Sequence, residues 1–267
     1  MEGSMARPWA VILGASSGFG AAAGAELAKT GFDIFGVHLD RRGTQAAVDA
    51  AKKRIEDAGG RAVFFNTNAA ADESRAEVLA EMEKILGKGG KDQVRVLFHS
   101  LAFGALKAFV SDKPDGNLTR AQFDMTMDVM ANSLVYWTRD LVLKGWLGKD
   151  GRIFAMTSSG GTRVWPSYGA VSAAKAALES HCRQLALELA PRGISVNAIR
   201  AGVTDTPALR KIPGNEEMIQ IATKRNPSGR LTTPEDVARL TALLTAPGAG
   251  WLTGNTLGVD GGEDIVG

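Results

Sequence analysis

Short apolar runs alternate along this chain with longer stretches in which apolar residues recur every three or four positions. The short runs predict strands at 9–13, 33–39, 62–66, 94–99, 152–157, 194–199 and 256–259. The longer stretches predict helices that each bury one face, at 44–58, 72–86, 120–145 and 171–190. Strand, helix, strand repeated in this way predicts an α/β fold with a doubly wound, seven-stranded parallel sheet covered on both faces. No repeat or domain-sized linker interrupts the pattern, so residues 1–267 read as one domain. Residues 207–228 alone break the alternation. They are polar, helical and punctuated by proline, with no strand, and form a candidate lid over a site.

Composition narrows the function classes. A length of 267 residues is ample for one continuous core. With 31 basic against 29 acidic residues, a general nucleic-acid binder is disfavoured. Cys182 is the sole cysteine, which excludes a disulfide framework and a multi-thiolate metal site and suggests a reducing compartment. It falls in the apolar register of its helix and reads as core. His38, His99 and His181 have no metal-ligand spacing, so no metal is assigned. No segment approaches the roughly 18 apolar residues of a membrane span. The start, MEGSMARPW, lacks the apolar centre of a signal peptide. A cytoplasmic protein without membrane partners is expected, with Met1 to Met5 a vector remnant or an alternative start.

The first strand runs into GASSGFG, which puts Gly14, Gly18 and Gly20 on a turn opening the next helix. Bare backbone there lets N–H groups at a helix N-terminus approach a pyrophosphate, and a nicotinamide dinucleotide becomes the leading ligand. Tight strand-to-helix packing is the alternative. At the end of the second strand, FGVHLDRRG places His38 where an acid would grip a ribose 2′-hydroxyl, with Asp40, Arg41 and Arg42 following. Paired arginine donors suit a 2′-phosphate, so the segment leans to NADPH before NADH. Asp40 argues the other way, and the arginines also suit ordinary loop charges.

Tyr168 and Lys175 stand seven residues apart in YGAVSAAK. On a helix that spacing shares a face, roughly 10 Å along the axis. A phenol and an ammonium then look into one cavity, and the ammonium lowers the phenol's pKa. Alone, the pair equally suits a phenol covering a helix end and a solvated lysine. The helix at 171–190 carries alanine and leucine on more than one side, which predicts a covering subunit.

Five features in order resemble the short-chain dehydrogenase/reductase family with its Rossmann fold: GASSGFG, Asn68 after the third strand, HSLAFG after the fourth, the Tyr and Lys helix, and AGVTDT followed by VDGG. The resemblance spans Trp9 to Gly262. Three departures narrow it. Most members place Tyr four residues before Lys, which is Val171 here; Met130 occupies the place of a helix asparagine; His99 and Ser100 replace a double asparagine. These departures resemble the enoyl-acyl-carrier-protein reductases of bacterial fatty-acid synthesis, and 157–205 is similar to their NADPH-using type III branch. An aromatic that many of them carry ten residues before the tyrosine is Ser158 here, and the usual proline before Gly202 is Ala201.

The resemblance implies cofactor contacts by Ser16, Ser17 and Phe19 in the phosphate turn, and by His38, Arg41, Arg42, Asn68, Ser100, Ala102, Lys175, Gly202, Thr204 and Thr206. It implies a substrate pocket at Phe103, Ser158 and Tyr168, and a homotetramer. The substrate implied is an enoyl thioester of acyl carrier protein or coenzyme A. Chemistry agrees with the shifted tyrosine. In conjugate reduction hydride enters the β carbon while charge builds on a carbonyl oxygen three bonds away, a separation suited to a donor displaced by one helical turn. NADPH then delivers hydride, Tyr168 protonates the enolate oxygen, and Lys175 binds the nicotinamide ribose. Arg210, Lys211, Lys224 and Arg225 on the lid either meet an acidic carrier protein or form a solvated face. Two rivals remain, an NADP-dependent carbonyl reductase or alcohol dehydrogenase of the same fold and a non-catalytic NADP-sensing protein.

Overall fold

The computed structural model describes residues 7–87 and 93–266, and Met1 to Met5 lie outside them. The strands are β1 (Trp9–Leu13), β2 (Asp33–His38), β3 (Ala62–Asn66), β4 (Val94–His99), β5 (Leu147–Ser158), β6 (Ser195–Ala201) and β7 (Thr256–Val259). The helices are α1 (Gly18–Lys29), α2 (Gln45–Asp57), α3 (Asp72–Leu86), α4 (Arg120–Met127), α5 (Ser133–Leu143), α6 (Gly169–Leu189), α7 (Asn215–Arg225) and α8 (Pro234–Leu243). The sheet runs β3-β2-β1-β4-β5-β6-β7, and every adjacent pair is parallel. This is the doubly wound α/β fold that the alternation predicts.

β1 is buried at all five positions because both of its faces are covered. Val11 and Leu13 enter the core shared with α3, α5 and α6 through Leu79, Trp137 and Leu178. Ala10 and Ile12 point the other way, into the core containing Leu27, Ile55 and Val237. The strand's period of two therefore fills two separate layers.

Chain order reverses between β1 and β4, and the loops after β1, β4, β5 and β6 gather at one end of the sheet. Ligands bind at such switch points. The single helix expected at 120–145 is instead α4 and α5 joined by a π-turn at Asp128–Asn132. Its wider turn brings Met130 and Ala131 into the core, and π-turns often occur at functional sites.

Candidate active site

A cavity of about 370 Å³ opens where those loops meet, walled by Phe19, by the segment after β4, by the end of β5, by α6 and by the loop after β6. One end of it adjoins the glycine turn. Gly14 and Gly18 adopt φ of +87° and +52°, a region that favours glycine. Gly14 presses on the Ser100 carbonyl, so a β carbon has no room there. Ser17 precedes α1 without its side chain capping the helix, and no acid lies in the first turn of α1. The open N–H groups thus keep their pull on an anion. Thr206 reaches over this turn, its Cγ2 standing 3.6 Å from where a Gly18 β carbon would lie. A dinucleotide's phosphates fit this cradle.

At the end of β2 the His38 ring turns into the fold. It is buried against Phe64, with Nδ1 2.9 Å from Asp40 Oδ2. Asp40, rather than His38, is the side chain beside the phosphate turn. Burial pushes its carboxyl up, but hydrogen bonds from Ser16, Thr44 and His38 outweigh that and hold it below its ordinary value. Arg41 and Arg42 are exposed next to it. Asn68 is exposed after β3 and accepts the Ala70 N–H at 3.0 Å.

A proline turn presents Tyr168. Its N–H donates to the Trp165 carbonyl at 3.1 Å across Pro166 and Ser167, and Ser167 has a φ of +61°. This is the pattern of a turn with proline second and a left-handed residue third. The Tyr168 carbonyl then accepts the Ser172 N–H at 2.8 Å. Tyr168 is therefore the residue just before α6 and continuous with it, so both Tyr168 and Lys175 line the cavity as the seven-residue spacing predicts. The ring packs on Gly160, whose carbonyl accepts from the Ser172 hydroxyl.

The electrostatics differ from expectation. Burial pushes the Tyr168 phenol up from its ordinary value, opposed by the Ser158 hydroxyl beside it. The expected lowering by Lys175 does not offset this, and the ammonium donates to the Met156 carbonyl at 2.6 Å. Among the described residues, Ser158 Oγ is buried without a well-formed hydrogen bond, which leaves it available to a ligand. Burial also pulls Lys175 down to about 8, with Cys182 and Glu179 opposing. The Cys182 thiol is itself pushed up to about 12 by burial and is neutral in working conditions. Glu179 is thus the anion that supports the ammonium, and Thr157 Oγ1 fixes it at 2.7 Å.

The places of the two residues lost relative to the common family pattern are filled. A β carbon on Gly104 would stand 2.8 Å from Val171 Cγ2 and 2.9 Å from the Met130 sulfur. The backbone after β4 thus packs directly against Val171 and Met130. His99, below, is fully buried. The Ser133 hydroxyl donates to the Val129 carbonyl at 2.9 Å, so it accepts from His99 Nε2–H at 2.8 Å. Burial and then Lys175 push His99 down to about 3, so it stays neutral.

Ser100, Ala102, Phe103, Ser158, Gly202, Thr204 and Thr206 all line the cavity, whereas Asn68, Arg41 and Arg42 lie outside it. The 207–228 segment covers one side through Leu209, Ile212, Met218 and Ile221, and Trp165 Nε1 donates to the Pro213 carbonyl at 3.0 Å. Arg210 is neutralised by a two-pronged bridge to Asp205 at 2.7 and 2.9 Å. Lys211 and Arg225 line the cavity. Trp165, Met156 and Glu263 also line it without having been anticipated. They come from three separate segments, so no spacing announces them. Among the described residues, no three potential metal ligands gather, and no helix is long and apolar enough to cross a membrane.

The family model described as Enoyl-(Acyl carrier protein) reductase matches residues 14–263. The 1-cyclohexenylcarbonyl-CoA reductase of Streptomyces collinus is 30% identical over 262 residues, 97% of this chain and 88% of its own length. A 3-oxoacyl-(acyl-carrier-protein) reductase of Pseudomonas aeruginosa is 30% identical over 257 residues, 95% of this chain and 96% of its own. The solved enoyl-(acyl-carrier-protein) reductase (NADH) of Aquifex aeolicus is similar with a TM-score of 0.82 at 27% identity, and the match covers 97% of each chain.

Proposed function

This chain belongs to the enoyl-(acyl carrier protein) reductase group of the short-chain dehydrogenase/reductase family and is an oxidoreductase; we propose that it reduces the C=C bond of a trans-2-enoyl thioester with NADPH. The contact of Gly104 with Met130 and Val171 carries this reading. It leaves Tyr168 as the phenol on the cavity wall, since the chain's other tyrosine, Tyr136, lies on α5 against Arg75 and Arg139.

The residues present fit a nicotinamide dinucleotide, with the Gly14 to Gly20 turn, Ser16, Ser17 and Thr206 at its phosphates and Lys175 at the nicotinamide ribose. Bound there, the cofactor supplies the hydride that the β carbon receives. Tyr168 Oη donates to the thioester carbonyl oxygen and gives its proton to the enolate oxygen as charge develops; the enol then takes a solvent proton at the α carbon and returns its O–H proton to Tyr168, which completes the saturated thioester. Ser158 Oγ, beside the phenol, donates to the same oxygen. The apolar walls exclude water, which strengthens both bonds. Lys175, kept charged by Glu179, holds the ribose in place.

Exposed Arg41 and Arg42 support NADPH, and Asp40 beside Ser16 supports NADH as a slower alternative. The 207–228 segment acts as a lid, and the acyl group arrives on acyl carrier protein or coenzyme A. We further propose a cytoplasmic homotetramer, in which the exposed Leu187 of α6 and Leu143 of α5 are covered by neighbouring subunits. Initial rates across trans-2-enoyl thioesters of both carriers, with NADPH and NADH compared, test the reading. Rates above background only with enoyl substrates, and higher with NADPH, are expected. No turnover on any enoyl thioester would overturn it.

A further inference from the structure

We propose that Glu263 is a positioning residue for the nicotinamide end of the cofactor, acting through the main chain of the loop after β6. The proposal rests on the cofactor reading above.

The tail beyond β7 is fastened from several directions. The Asp260 carboxylate accepts the N–H groups of Gly262 at 3.0 Å and Asp264 at 3.2 Å. Its carbonyl accepts Asn226 Nδ2 at 2.7 Å, and the Val266 carbonyl accepts Arg225 Nε at 2.6 Å, which ties the tail to the end of α7. Asp264 bridges Arg163, ahead of Tyr168, at 2.8 Å and Arg200 of β6 at 3.0 Å. What this fastening delivers to the cavity wall is Glu263, which is only 9% exposed.

Glu263 Oε2 accepts the Val203 N–H at 3.0 Å. The ladder between β6 and β7 ends one residue earlier, where the Gly202 N–H donates to the Val259 carbonyl at 3.1 Å. Val203 is therefore the first amide past the sheet, and a partly buried amide needs an acceptor. By providing one, the carboxylate extends the ladder by one bond and sets the direction in which the chain leaves the sheet. Burial pushes the Glu263 carboxyl up, with the Val203 N–H opposing, so the acid is held in place against its own desolvation.

The loop that follows is held at its far end by Thr206 over Gly18, beside the phosphate turn. Glu263 holds the near end, at Gly202 and Val203, which line the cavity. Loss of the near anchor should loosen the nicotinamide end and spare the phosphate end.

The test is calorimetric titration of apo protein with NADPH and with 2′-phospho-ADP-ribose, which lacks the nicotinamide ring. Glu263→Ala is expected to weaken NADPH about tenfold and leave 2′-phospho-ADP-ribose unchanged. Glu263→Gln, whose amide oxygen still accepts, is expected to bind NADPH within about twofold of the parent. Glu263→Asp keeps the charge but falls short of Val203, and is expected to behave as Glu263→Ala does; it decides the matter if the alanine variant fails to fold. Equal weakening of both ligands, unchanged NADPH affinity in Glu263→Ala and Glu263→Asp, or a Gln variant as weak as the Ala variant would each overturn the proposal. A parent protein that binds neither NADPH nor NADH would instead sink the cofactor reading on which it rests.

Discussion

Gly104 and Met130 are packed so closely that a β carbon on the glycine would stand 2.9 Å from the methionine sulfur, with Val171 Cγ2 at 2.8 Å. Gly104→Ala therefore overpacks the site and should cost about 1–3 kcal/mol of stability, seen as a lowered Tm. The same contact means that restoring the residues of the common family pattern does not restore their reaction. The double variant Val171→Tyr, Met130→Asn should gain no reduction of 3-ketoacyl thioesters, measured by NADPH oxidation. A gain to a rate comparable with enoyl reduction would contradict this account.

Tyr168→Phe removes the proton donor while keeping the ring on Gly160. It should lower kcat about 10²–10⁴-fold and leave NADPH affinity unchanged. Gly160→Ala attacks the same phenol from below, because its β carbon would stand 2.5 Å from Tyr168 Cε1. It should lower kcat as the ring shifts, with the fold retained by circular dichroism. Wild-type turnover in Tyr168→Phe would remove Tyr168 from the mechanism, and in Gly160→Ala would show that the ring keeps its place.

Lys175 titrates at about 8 in the fold against an ordinary 10.5, chiefly through burial. The unfolded chain therefore binds more protons between those values, and this group makes stability rise with pH across that window. Activity runs the opposite way. The ammonium is lost as pH passes about 8, so kcat/KM should fall on that alkaline limb. Glu179→Gln removes the supporting anion and should move the limb to lower pH. A limb unmoved in the pH profile would show that Glu179 does not support Lys175.

Trp165 Nε1 holds the Pro213 carbonyl at 3.0 Å and so ties the segment before Tyr168 to the candidate lid. Trp165→Phe keeps the aromatic wall but drops the donor. It should raise KM for the enoyl thioester about three- to tenfold, the worth of one hydrogen bond, with NADPH affinity unchanged. An unchanged KM would separate the contact from substrate binding.

The fold was legible because the inner strands are buried on both faces and appear as continuous apolar runs, β1 being the clearest. Tyr168 and Lys175 were legible because residues 168–175 are local, and helix spacing sets their relation. The break at Asp128–Asn132 was not, since a π-turn keeps the composition of a helix and changes only its phase. Glu263 and Trp165 reach the cavity through contacts with Val203 and Pro213, distant in sequence, which no local pattern encodes. The rise of the Tyr168 pKa was also hidden. Proximity of a lysine is readable from spacing, but the depth of burial that outweighs it is a property of the assembled site.

The central claim is that the shifted tyrosine serves a C=C bond. One competition measures it directly: equal concentrations of crotonyl-CoA and acetoacetyl-CoA, limiting NADPH, and mass analysis of the acyl products, which reports the ratio of the two kcat/KM values. The account predicts butyryl-CoA in large excess, with Tyr168→Phe slowing its formation about 10²–10⁴-fold. A product dominated by 3-hydroxybutyryl-CoA would contradict it.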